Sequence, residues 1–176
     1  MTKSVAAAKG PGGLKTAETV ADILEREREP MIKDWLARVE QQADLKCVSL
    51  SFEERTGHLP HLLHDVIKRL RMNSAEKAPL SEAAAEHGDL RRDQGYTVAM
   101  VVEESRLLQV TIFSTLHENA QELDFSKLLP DVVTIADEVD AQLKEQMLRF
   151  MAADAARFAL GNAADSSKPV LRRARD

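Results

Sequence analysis

The residues able to do chemistry in this chain are few, and most are histidines. His58, His61 and His64 recur every third residue, and on a helix His61 and His64 project from adjacent turns within reach of one metal ion. Zinc needs three or four ligands, and the only cysteine, Cys47, has no partner at metal-motif spacing. These three histidines also share the polar face of their helix, so the row reads as solvated surface, with metal ligation as the alternative. His87 differs because it falls on an apolar stripe, followed by Gly88, which leaves room for a close neighbour. A hydrogen-bonded core imidazole is the favoured reading for His87, and a haem ligand or a pH-sensitive group is the alternative. Glu104 and Gln109 fall among apolar residues of one long helix and read as paired structural polars or as the lining of a small cavity. No histidine stands in a phosphotransfer motif, and no Ser-His-Asp order, phosphate loop or carboxylate pair stands out. Catalysis is not expected.

The elements that must position these residues are helices. In 176 residues, Ala, Leu, Glu and Arg are common, there are only seven glycines and six prolines, and aromatics make up 4%. The length suits one domain with a sizeable core. The expectation is an all-α, single-domain bundle of five or six helices ending in a long C-terminal helix. A lead over 1–15 and a basic tail over 161–176 are expected to be disordered around a helical body spanning 16–160. Residues 1–15 and 168–176 each carry a net charge of +3, so the net −5 of the chain leaves −11 on residues 16–167. An acidic body of this kind predicts no nucleic-acid partner. No apolar run approaches the roughly 20 residues that span a bilayer, and residues 1–15 lack a secretion-signal core. The expected location is the cytoplasm, with no membrane insertion.

A first helix begins at Thr16 and runs to Val39 with a break near Pro30, where Trp35 is expected to anchor the core. Ser51-Phe52-Glu53-Glu54 has the spacing of a capping box, and Gly57 should close that short helix. An amphipathic helix then opens around Pro60 and buries Leu59, Leu62, Leu63, Val66, Ile67 and Leu70. The next helix is expected to bury Leu80, Ala83, Ala84, His87 and Leu90 and to end at Gly95. Thr97 should cap a helix over 98–118 with Val98, Val101, Val102, Ser105, Leu108, Ile112, Phe113 and Leu116 inward and Gln109 near the middle of that face. A segment over 125–129 leads to Pro130, which is expected to open the last helix.

Three stretches together resemble a known family: Leu59-Pro60-x-Leu62-Leu63, then His87-Gly88-x-x-Arg91-x-x-Gln94-Gly95-Tyr96-Thr97, then Val101-x-x-Glu104-x-x-x-Leu108. They are similar to the RsbRD amino-terminal domain family over roughly residues 20–155. The resemblance implies a globin-like helical fold without haem, acting as a sensor in front of the output domains of bacterial stressosome proteins and histidine kinases. It marks Pro60, His87, Arg91, Gly95, Tyr96 and Glu104. It also implies a homodimer with a bacterial signalling partner, and a last helix that links input to output. The signal candidates are therefore His87, Arg91, Tyr96, Glu104 and Gln109, with no cofactor required and haem the alternative.

Overall fold

The computed structural model describes residues 17–72, 76 and 79–166, with side chains along the last helix as far as residue 152. The expected lead over 1–15 and the end of the tail, 167–176, lie outside the described residues. Among those described there are eight α-helices and one 3-10 turn, with a single isolated bridge in place of any sheet. The all-α bundle is therefore as expected, although the helices are more numerous.

The first expected helix is two. α1 (Val20–Arg26) starts at the Thr19 cap, whose hydroxyl accepts from the Asp22 N–H, and α2 (Arg28–Val39) follows after a break at Glu27. Pro30 thus sits in the first turn of α2, where a missing N–H removes no intrahelical bond. The one-turn α3 (Ala43–Lys46) has no apolar period to announce it. α4 (Phe52–Thr56) carries the expected capping box at Ser51 and Glu54, and α5 (Leu59–Arg71) has Pro60 in its first turn. α6 (Glu82–Asp93) and α7 (Val98–Glu118) meet at the expected break. There the Tyr96 N–H bonds the Arg91 carbonyl at 3.0 Å and the Gly95 N–H bonds the Arg92 carbonyl at 2.9 Å. This is a Schellman closure, and Gly95 takes the left-handed φ of 82° that it requires.

After the 3-10 turn at Ala120–Glu122, α8 (Phe125–Ser166) runs unbroken for 42 residues. It does not begin at Pro130, as expected; Pro130 lies in its second turn, near enough to the end for the loss of one backbone bond to be tolerated. Nor does it stop at 160, so residues 161–166 are helix and not tail. At 1.5 Å per residue α8 is about 63 Å long.

The helices enclose one core. Ile23, Leu24, Trp35, Leu63, Ile67, Ile112 and Ile135 are among its fully covered side chains. α8 packs along α6 and also against α5 and α7, while α2 lies across α7. At the N-terminal edge the Glu18 N–H bonds the Glu122 carbonyl, and Arg26 reaches Glu18 and Glu122, each at 2.8 Å.

α7 buries most of its expected face, with Val101, Ser105, Leu108, Ile112 and Leu116 inward, but α6, α7 and α8 each also bury polar residues and leave some apolar ones outside. On α6 the covered residues are Ala84, Ala85, His87, Gly88 and Arg91, whereas Leu90 faces outward and Leu80, expected on this helix, precedes it and is 83% exposed. On α7, Glu104, Thr111 and Thr115 are inside while Val98 and Val102 are exposed. On α8, Glu138, Gln142 and Gln146 join Ile135, Val139 and Phe150 in the core, leaving Leu129, Val133 and Leu148 outside. Arg91 and Glu104 pair with each other in the interior, and the Gln142 amide nitrogen donates to the Leu62 carbonyl.

Candidate buried polar site

Three of the covered polar side chains, His87, Arg91 and Tyr96, converge on one carboxylate. Glu104 is buried in the middle of α7, and its Oε2 accepts from Nε of Arg91 at 2.7 Å while its Oε1 accepts from the Tyr96 hydroxyl at 2.8 Å. His87 Nε2 stands 3.4 Å from Glu104 Oε2. The backbone carbonyl of Glu104 accepts from the Trp35 indole N–H at 3.2 Å, so the tryptophan finds its partner in the core and not at the rim.

Arg91 is fully buried at 0% exposure and every nitrogen of its guanidinium is used. Besides Glu104, it donates to the carbonyl of Glu54 at 3.0 Å, the carbonyl of Arg55 at 2.8 Å and Oε1 of Gln94 at 2.6 Å. Its guanidinium lies 4.8 Å from the centroid of the Tyr96 ring. The last turn of α4 is thus held to α6 through its open carbonyls, groups that a helix end leaves without intrahelical partners. Arg55 closes the circuit, donating to the Tyr96 hydroxyl at 2.8 Å and the Val48 carbonyl at 2.6 Å.

His58 belongs to this cluster, which corrects its reading as a surface histidine. It precedes α5, and its ring stacks on that of His87 with centroids 3.6 Å apart and planes 17° from parallel. Trp35 meets its other side edge-on at 5.9 Å. His61 and His64 remain exposed and line a surface cleft of about 250 Å³ with Asp65 and Glu138, so the row of three is split and only its first member turns inward. The reason is positional: His58 lies before the first turn of α5 and escapes the helical period that places the other two.

Gln109 is a second correction. It is part-exposed and lies further along α7, outside the hydrogen-bonded cluster. Of the signal candidates, the fold brings together His87, Arg91, Tyr96 and Glu104, and it adds His58 from the histidine row, Gln94, and Arg55, which nothing in the sequence singles out.

The charges follow from this packing. Burial pushes the Glu104 carboxyl upward, but His87 and Arg91 together overcome it and hold the group below the ordinary glutamate value. Burial drives the His58 imidazole well below its ordinary value, with His87 and Arg91 adding to the effect. Burial also lowers His87, partly offset by Glu104. Burial and the nearby Glu104 raise the Tyr96 phenol, so it remains a hydrogen-bond donor. At neutral pH the site is one ion pair, Glu104 with Arg91, beside two neutral imidazoles.

The cluster also stands directly behind α8. Gly88, the residue after His87, approaches α8 so closely that a Cβ there would lie 2.3 Å from the Gln146 carbonyl oxygen. No family model matches this chain, and neither a curated protein nor a solved structure matches it.

Proposed function

We propose that this chain is a non-enzymatic signal-input domain that acts through protein contacts, as a homodimer engaging a bacterial signalling partner of the stressosome or histidine-kinase type. The Glu104-centred cluster is the element the signal perturbs, and α8 is the element that carries the change outward. The carrying observation is the adjacency of His87 and Gly88: one residue is in the cluster and the next is in backbone contact with α8.

With no side chain to absorb a displacement at Gly88, a shift of α6 by a few tenths of an ångström reaches α8 undamped. A buried ion pair adds little net stability compared with an apolar core of the same volume. A circuit joining α2, α4, α6 and α7 therefore supports a role in selecting one helix arrangement over another. The resemblance of His87-Gly88-x-x-Arg91, Gly95-Tyr96 and Glu104 to the sensor family supports the same reading.

The test is amide hydrogen exchange on wild type and Tyr96→Phe, a change that removes hydrogen bonds at the turn between α6 and α7. Faster exchange in α8 around residues 142–150, with the protein still folded, is the expected result. Acceleration confined to α6 and α7 overturns the coupling and with it the reading.

A further inference from the structure

We infer that His58, His87 and Glu104 form a binding site for a divalent transition-metal ion of the zinc class. One donor atom from each residue lies within 4.8 Å of the other two. The 3.4 Å between His87 Nε2 and Glu104 Oε2 is long for a hydrogen bond between such groups. With bonds of 2.0–2.1 Å to a shared ion, the same separation subtends about 110°, the tetrahedral angle. Two imidazoles and one carboxylate are a donor set that zinc takes, and one that suits cobalt and nickel better than calcium or magnesium.

The surroundings fit that use. Nδ1 of His58 and Nδ1 of His87 are buried with no hydrogen-bond partner, so each ring keeps a nitrogen that no neighbour occupies. Tyr96 holds the far carboxylate oxygen, Oε1, and Arg91 donates to Oε2 itself, so both fix the orientation of Glu104. The Arg91 charge opposes a second cation, which makes this an exchangeable site and not a permanent structural one. The near-parallel stack also has a consequence: two lone pairs converge on one ion only when a ring turns about its Cβ–Cγ bond. Trp35, edge-on to His58, reports that turn.

That the ion is the input signal rests on the function proposed above; its binding does not. The experiment titrates chelator-treated protein with Co²⁺, reading visible d–d absorption and Trp35 fluorescence. Saturation at one ion per chain, with a fluorescence change and displacement by Zn²⁺, is the expected result. His58→Phe keeps a ring against Trp35 and His87 and should weaken Co²⁺ binding at least 10-fold, as should His87→Gln. The pair His61→Ala with His64→Ala should leave it unchanged. Absence of uptake, uptake that survives His58→Phe, or uptake lost with the His61 and His64 changes overturns the site. Exchange in α8, measured with and without Co²⁺, separates the two claims: binding that leaves α8 unchanged retains the site and overturns its role as the input.

Discussion

At the scale of single residues, the molecule is organised by whether buried charge is paired. Glu104→Gln or Arg91→Met alone strands the other partner in the core and should destabilise by about 3–5 kcal/mol. Replacing both, Arg91→Met with Glu104→Leu, should cost less than the sum, because no unpaired charge is left. Urea denaturation of the two single variants and the double variant measures this, and strict additivity would show that the pair is not coupled. Tyr96→Phe removes the donor to Glu104 and the acceptor for Arg55 and should cost about 1–3 kcal/mol. The histidines set a pH dependence in chelator-treated protein. The folded-state value of His58 is depressed, so the unfolded chain, titrating near 6.5, takes up a proton that the folded protein refuses. Stability is then full above about pH 6.5 and declines as the pH falls below it. Melting temperatures at pH 7.5 and 5.5 should show the drop, and His58→Phe should reduce it. A wild-type midpoint that does not move across this window would count against a neutral buried pair.

At the scale of elements, the local signals were legible because they act over a few residues. Ser51 with Glu54, Thr97 before α7 and Gly95 after α6 stand where hydrogen bonds spanning three to five residues require them. The inward faces were legible in part: Ala84 and His87 on α6 and Val101, Ser105, Leu108, Ile112 and Leu116 on α7 are buried as expected, whereas Leu80, Leu90, Val98 and Val102 are exposed. Periodicity ranks each side chain by its own polarity, whereas Arg91, Glu104 and Gln142 are buried because other helices satisfy them. Two glycines separate local from tertiary constraint. At Gly95 nothing would meet a Cβ, and only the positive φ resists substitution, so Gly95→Ala should cost about 1–2 kcal/mol. At Gly88 the backbone is ordinary helix but the Gln146 carbonyl blocks any side chain, so Gly88→Ala must force α6 and α8 apart at about 1–3 kcal/mol. Exchange in α8 should rise for Gly88→Ala and stay near wild type for Gly95→Ala. Equal effects would deny the close contact its role.

At the scale of the whole molecule, α8 is the exception to compactness, twice as long as α7 and exposing Leu129, Val133, Leu148 and Met151 along its outer side. The homodimer proposed above predicts that two copies pack through this face. Sedimentation should show concentration-dependent dimers, with Val133→Glu and Leu148→Glu shifting the protein to monomer and leaving its melting temperature near wild type, because neither residue is in the core. A monomer at every concentration would rule out that assembly. No helix among the described residues is long and apolar enough to cross a membrane. By itself the sequence determined the helical class, the caps and the turn that joins α6 to α7, because those depend on backbone bonds between near neighbours and on composition. Only the tertiary structure decided which sides of the helices face inward and that His58 would stack on His87. It also decided that Trp35 would reach Glu104 across 69 residues and Arg91 would reach Arg55 across 36. A polar side chain is buried only where distant parts of the chain deliver its partners, and no local period carries that information.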